Sequence, residues 1–393
     1  MTAELSSSTA TGITAPAGFR AAGVTAGLKA SGGRDVALVV NDGPVKSAAA
    51  VFTRNRVAAA PVHWSRQAIS DGRADAVFLN SGGANACTGP QGFQNTHATA
   101  EKVADLLGIS ANDVLVCSTG LIGEQLPMDK LLPGAEAAAQ ALASDGGALA
   151  AEAIMTTDTV SKQAVFEGSG YSIGGMAKGA GMLAPGLATM LVVLTTDADL
   201  DAAALDQALR AATAVTFDRT DSDGCMSTND TVILLASGAS GTVPDTEEFT
   251  RGLTEVCHSL AQQLITDAEG ASHDIAITTI NAATVADAEA ASRAVARSNL
   301  FKTAIFGNDP NWGRVLSAVG TTDAAFEPEN INVTINGVQV CRGGGIGDPR
   351  EGVDLTGRAV SVEIDLAAGS ESATIWTNDL TTDYVHENSA YSS

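Results

Sequence analysis

Apolar and polar positions change rhythm several times along the chain. Through the first eighty residues, short apolar runs alternate with small polar turns, so Val36–Val40, Ala48–Phe52 and Ala76–Leu79 predict strands. Residues 95–108 have helical character, Val114–Cys117 predicts another strand, and the alanine-rich stretch 134–155 predicts one helix. An apolar strand follows Thr189 as far as Leu194. A helix is expected over 199–213, with Asp197 and Asp199 as candidate caps. Val232–Leu235 predicts a further strand. Phe249, Leu253, Val256, Leu260 and Leu264 recur at spacings of three and four, which predicts an amphipathic helix over 245–268.

After a helix near 284–298 the pattern turns to hairpins. Ile331, Val333 and Ile335 alternate, Asn336-Gly337 reads as a two-residue turn, and Val338 and Val340 alternate again. Val360, Val362, Ile364 and Leu366 form another alternating strand. The expected class is α/β, with a mobile tail over 1–14, a main domain over 15–280 and a smaller α/β domain over 281–393.

Composition narrows the function classes. A formal charge of -23 on 393 residues opposes nucleic-acid and anionic-membrane partners. Five scattered cysteines, without a CxxC pair, oppose a disulfide framework or zinc site and fit a cytoplasmic protein. The first residues lack the basic start and apolar core of a secretory signal. The longest uncharged stretch, 179–196, carries Gly179, Gly181, Pro185 and Gly186 in its first half, which opposes a membrane helix.

Signatures of common cofactors and of a Ser-His-Asp triad are missing from the motifs. What remains is Lys178-Gly-Ala-Gly-Met-Leu-Ala-Pro-Gly-Leu-Ala188-Thr189, a glycine-rich loop that runs into an apolar strand. A threonine there can attack the preceding carbonyl, rearrange to an ester and, after hydrolysis, become a chain terminus. Its new α-amine, with a pKa near ~7.7–8.0, is close enough to neutrality to act as a base, and the sequence leaves open whether it or Lys178 takes the proton. The plainer reading is a β-branched residue opening a core strand.

The string KGAGMLAPGLATMLVVLTTDA resembles the self-cleavage region of the ornithine acetyltransferase family, the ArgJ-type bifunctional glutamate N-acetyltransferases. TAPAGFRAAGVTAGLKASG, NSGGANACTG, CSTGLIGEQLPMDK, IMTTDT, FDRTDSDGCMSTNDT, DAEG, KTAIFGNDPNWGRVLSAVG and the terminal HENSAYSS match in the same order. The resemblance implies a layered helix–sheet–sheet–helix fold, similar to the DmpA-like self-processing hydrolases. It implies cleavage between Ala188 and Thr189, then transfer of acetyl from N-acetylornithine to glutamate on Thr189 in arginine biosynthesis. The two chains would assemble as a heterotetramer.

Residue by residue, Thr119 and Gly120 match the oxyanion-hole positions. Lys178, Glu269, Asn388, Ser393 and one of Thr156 and Thr157 match substrate-binding positions, with family spacing leaning to Thr156. Ornithine and N-acetylglutamate are the expected products, and neither a cofactor nor a metal is implied. Whether acetyl-CoA serves as a second donor is left open, because no motif reports CoA binding. Gly186 stands where many relatives carry a larger residue. The polar segments Asp221–Asn229 and Asn308–Arg314 read as core-facing networks supporting the site. The rival reading is an aminopeptidase or amidase of the same architecture, whose acyl-enzyme yields to water.

Overall fold

The computed structural model describes residues 12–184 and 190–390. Its first part runs β1 (Phe19–Val24), β2 (Val36–Asn41), β3 (Ala48–Phe52), α1 (Ala60–Ala68), β4 (Ala76–Ser81), α2 (Gly89–Leu107), β5 (Val114–Thr119), α3 (Met128–Gln140) and α4 (Gly147–Ala153). It continues through β6 (Lys162–Glu167), β7 (Ser172–Lys178), β8 (Leu191–Thr196), α5 (Ala202–Val215), β9 (Thr231–Ala236) and α6 (Thr246–Thr266).

These strands form two sheets, ordered β1-β2-β4-β5 and β3-β9-β8-β7-β6. The side chains of the second sheet say how the sheets lie. Alternate residues of a strand face opposite ways. Leu191, Val193, Ile233 and Leu235 pack into one core with the first sheet and with helices α2 to α4. Val192, Leu194, Val232 and Leu234 pack into another with α5 and α6. The order helix, sheet, sheet, helix is therefore written into the one-residue alternation of β8 and β9. Strands buried on both faces read as continuous apolar runs, which is why Val36–Val40 and Leu191–Leu194 carry no polar interruption.

The second part consists of β10 (Asp274–Ala282), α7 (Val285–Ala296), α8 (Asn299–Phe306), α9 (Trp312–Val319), β11 (Asn332–Ile335), β12 (Val338–Arg342), β13 (Gly345–Ile346), β14 (Ala359–Asp365), β15 (Glu371–Asn378) and α10 (Thr382–Ala390). A six-stranded sheet, β13-β12-β11-β14-β10-β15, covers its own core with α7, α8 and α9. The Asn336-Gly337 turn joins β11 to β12, with φ of 44° and 82° at its two residues, as a type I′ turn requires.

Several expectations are revised. The single helix over 134–155 is two, α3 and α4, separated by Ala141–Gly146. The cap of α5 is Asp201, whose side chain accepts from the Ala204 N–H. Asp197 instead accepts from Ser172 and the Ala17 N–H. Residues 12–14, assigned to the tail, form a buried 3-10 turn, and Ile13 is fully covered. The boundary placed near 280 falls inside β10, whose Ile275 and Ile277 already belong to the third core. Among the described residues no helix is long and apolar enough to cross a membrane, and no cluster of metal-ligating side chains occurs.

Candidate active site where two sheets meet

The end of β5 carries Ser118, Thr119 and Gly120 from the first sheet toward the second. Each is fastened. The Ser118 hydroxyl donates to Asn80 Oδ1 at 2.6 Å, and its carbonyl accepts from Asn229 Nδ2 at 2.8 Å. The same Asn229 amide group donates to the Ala84 carbonyl at 2.6 Å, and Asn80 Nδ2 donates to the Gly83 carbonyl. The Gly83 N–H donates to the Thr119 carbonyl at 3.0 Å. Gly120 adopts φ +130°, and a Cβ there would lie 2.5 Å from the Gly83 nitrogen and 2.7 Å from the Gly82 carbonyl carbon. Only glycine lets these two backbone segments pass.

From the second sheet, β7 delivers Lys178. Its side chain is buried, and Nζ lies 3.3 Å from the Thr119 hydroxyl. Lys178 pairs with Leu191, so the strand after the 188/189 junction runs edge to edge with the strand bearing the lysine. Met190 is anchored as well. Its N–H donates to Asp230 Oδ1 at 3.2 Å, and its carbonyl accepts from the Thr231 N–H. Pro185, Gly186, Leu187, Ala188, Thr189 and Ser393 lie outside the described residues.

Glu269 reaches the same place from the loop after α6. Its N–H donates to the Ala180 carbonyl at 3.0 Å. Its carboxylate occupies the space beside Gly181, where an added Cβ would lie 2.6 Å from both carboxylate oxygens. Asn388, on the exposed helix α10, donates from Nδ2 to Glu269 Oε2 at 3.0 Å. The half-buried Thr156 and Thr157 follow α4, and the Thr156 N–H donates to Asp158 Oδ2 at 2.9 Å. The Gly179 N–H donates to Asp158 Oδ1 at 2.6 Å. Thr119, Glu269, Asn388 and Thr156 thus adjoin the stretch 178–181 directly or through one partner, whereas Gly120 and Thr157 do so only as chain neighbours of Thr119 and Asp158.

The charges are strongly perturbed. Burial pushes the Lys178 ammonium below its ordinary range, against the attraction of Asp158, and Lys162 lowers it further. Burial also opposes ionised Asp158, but Lys178, Lys162 and the Thr156 N–H outweigh it and hold the carboxyl at about 2. Asp230 is fully buried and pushed well above its ordinary value by desolvation, and its Oδ2 finds no hydrogen-bond partner among the described residues. Cys117, two residues before Thr119, is no rival nucleophile, because burial raises its thiol to about 12.

Cavity size does not locate this site. A cavity of about 780 Å³ runs along β3 and α5 and holds none of the candidates. A smaller one of about 160 Å³ opens beside Glu269, lined by Asp223, Lys302, Asn378 and Tyr384 among others. The chemistry and the convergence of two sheets place the site beside the smaller cavity.

The sequence reading missed Asn80, Asp158, Lys162, Asp230 and Asp267, and gave Asn229 no individual role within its supporting segment. Asp158 and Asn229-Asp230 sit within the quoted IMTTDT and STNDT segments, so their signal was present without a role. The segment 221–229 is a buried network at its two ends, through Asp221 to Arg293 and Arg297, Ser222 to Asn378 and Asn229 to Ser118, while Gly224 and Cys225 between them are exposed. The segment 308–314 is no such network. Asn311 caps α9 by accepting from the Arg314 N–H, and its neighbours are partly or fully exposed.

With this geometry in place, comparison with known proteins gives a consistent answer. A model of the ArgJ family matches residues 20–393. The arginine biosynthesis bifunctional protein ArgJ of Streptomyces coelicolor is 67% identical over 381 residues, covering 97% of this chain and 100% of its own. Its counterpart from Thermobifida fusca is 67% identical over 380 residues, covering 97% and 99%. A solved structure of ornithine acetyltransferase from Mycobacterium tuberculosis, complexed with ornithine, is 57% identical. It covers 46% of this chain and 97% of its own, with a TM-score of 0.44. The chain belongs to the ArgJ family.

Proposed function

We propose that the chain cleaves itself between Ala188 and Thr189, and that the freed Thr189 carries acetyl from N-acetylornithine to glutamate. Family membership makes the protein an acyltransferase of arginine biosynthesis. The observation that carries the residue-level reading is the 3.3 Å approach of Lys178 to the Thr119 hydroxyl, beside the strand that Met190 leads into. A hydroxyl donor, a buried cation and the candidate nucleophile's own strand thereby share one corner.

In the proposed cycle the Thr189 hydroxyl attacks the acetyl carbonyl of N-acetylornithine. The Thr119 hydroxyl and Gly120 N–H donate to the oxyanion, and the Thr189 α-amine takes the proton and passes it to the departing amine. Ornithine leaves, and the amine of glutamate then attacks the threonine ester to give N-acetylglutamate. Lys178 attracts a substrate carboxylate, and Glu269, oriented by Asn388, accepts from a substrate ammonium. The same ester could be loaded from acetyl-CoA, a second activity favoured by the bifunctional designation of the relatives at 67% identity. A heterotetramer of two chains from each of two precursors is proposed with it.

Intact mass of the purified protein tests the first step. Two fragments meeting at 188/189, and one full-length chain from Thr189→Ala, are expected. An active wild-type protein running as one full-length chain would sink the mechanism. Radiolabelled acetyl transfer to glutamate, from N-acetylornithine and separately from acetyl-CoA, decides the donors and shows whether transfer outpaces hydrolysis.

A further inference from the structure

Behind the substrate residues lies a buried ion triad that the cycle above does not use. Lys162 opens β6 and is 0% exposed. Its Nζ lies 2.7 Å from Asp158 Oδ1 and 2.5 Å from Asp267 Oδ2. Each carboxylate has a second task. Asp158 accepts from the N–H groups of Thr156 and Gly179, so it fixes the threonine loop and the residue after Lys178. Asp267 accepts from the Thr159 N–H at 3.0 Å and from the Thr159 hydroxyl, and it stands two residues ahead of Glu269. One ammonium therefore joins three segments that come from three separate parts of the chain.

Stability alone accounts poorly for such a group. Three desolvated charges are an expensive means of holding a core, and apolar side chains of similar volume often serve as well. Charges add direction: a lysine with two short ion pairs fixes both carboxylates, and each carboxylate fixes the N–H groups it accepts from. We propose that Lys162 is a positioning residue for acetyl transfer, setting the separation of Thr156, Lys178 and Glu269 by clamping Asp158 to Asp267. The proposal rests on the substrate-site reading given above.

Lys162 also bears on the charge of Lys178. The groups facing Lys178 are Asp158, Lys162, Glu269 and Asp230, with Lys29 further out. Removing the Lys162 charge withdraws a repulsion from Lys178 and raises the pH at which Lys178 gives up its proton. That shift follows from the lost charge alone, so the positioning role itself is read from KM.

The test uses the self-cleaved two-chain enzyme with Lys162→Met and, as a gentler companion, Asp267→Asn. Cleavage is followed by intact mass, folding by thermal midpoint, and kcat and KM for N-acetylornithine across pH. Both variants should be cleaved. Lys162→Met should raise KM about tenfold, as misplaced binding groups do, and shift the alkaline limb of kcat/KM upward. Asp267→Asn should raise KM by less. An unchanged KM in a folded Lys162→Met enzyme overturns the proposal, whatever the thermal midpoint and wherever the limb lies. If that variant does not fold, an unchanged KM in Asp267→Asn overturns it instead. Lys178→Met and Glu269→Gln run alongside. If they raise KM while the triad variants do not, only the positioning role fails, whereas if they too leave KM unchanged, the substrate-site reading fails with it.

Discussion

The end of β5 and the helix α10 both border the candidate site, and they are built in opposite ways. Around Ser118–Gly120 the carbonyls of Ser118 and Thr119 and the Ser118 hydroxyl have partners at 2.6–3.0 Å, and backbone presses on backbone at Gly120. Helix α10 buries none of its residues. It is tied down by Asn388 to Glu269 and by the Thr381 hydroxyl, which donates to the Gly270 carbonyl and accepts from the Tyr384 N–H. The difference follows from what each must do. Donors for a short-lived oxyanion act only if already in place, because reorganisation during the reaction would cancel their benefit. A wall that admits one amino acid and releases another has to give up its contacts in every cycle.

Gly120→Ala attacks the rigid region most directly. The added Cβ meets backbone that has nowhere to go, at a φ that L side chains rarely adopt. Loss of both self-cleavage and transfer is expected, with kcat down by more than about 10³ in any cleaved fraction. Mass spectrometry and single-turnover kinetics check it, and a normally cleaved, active variant would refute the oxyanion assignment. Thr119→Val keeps the shape and removes the hydroxyl. A fall of about 10²–10³ in kcat with little change in KM is expected.

Asp158→Asn sharpens the comparison through stability. The carboxyl is held near 2 in the fold against an ordinary 3.8. A depressed carboxylate stabilises the fold above its unfolded pKa, and that contribution fades as pH falls from about 4 to about 2. It amounts to about 2 kcal/mol. Urea denaturation across this window should show the wild type losing that increment and the Asn variant lacking it throughout. The smallest effect is expected at the lightly held wall. Asn388→Ala removes one exposed hydrogen bond, on the order of 1 kcal/mol, so KM should rise a few-fold with kcat nearly unchanged. A large loss of kcat would place α10 with the rigid region after all.

The elements written in runs of one rhythm were legible in the sequence. The strands around Val36–Val40 and Val232–Leu235, the helix bearing Phe249 to Leu264, and the Asn336-Gly337 hairpin fall where periodicity puts them. The β7 strand was not legible, because Gly174 and Gly175 interrupt its apolar pattern. The break between α3 and α4 carried its own turn signal in Ser144-Asp145-Gly146, which the alanines on either side outweighed. At the site, the family motifs pointed to Thr119, Gly120, Lys178, Glu269 and Asn388, and the geometry draws these together. Lys162 and Asp267 were beyond reach. They lie 105 residues apart, and no local pattern says that one ammonium will be shared between them.

The order β3-β9-β8-β7-β6 has a consequence for the mature enzyme. If the bond before Thr189 is cut, strands from the two products alternate in one sheet: β3 from the first, β9 and β8 from the second, β7 and β6 from the first again. The seam between β8 and β7 is paired from Lys178–Leu191 to Ile173–Thr196. A denaturing gel would show two polypeptides, but dilution would not part them, because separation means unravelling the sheet. Amide protons on both sides of the seam should be among the last in the molecule to exchange for deuterium. The cut would change the chemistry of one amine while leaving a single thermodynamic object.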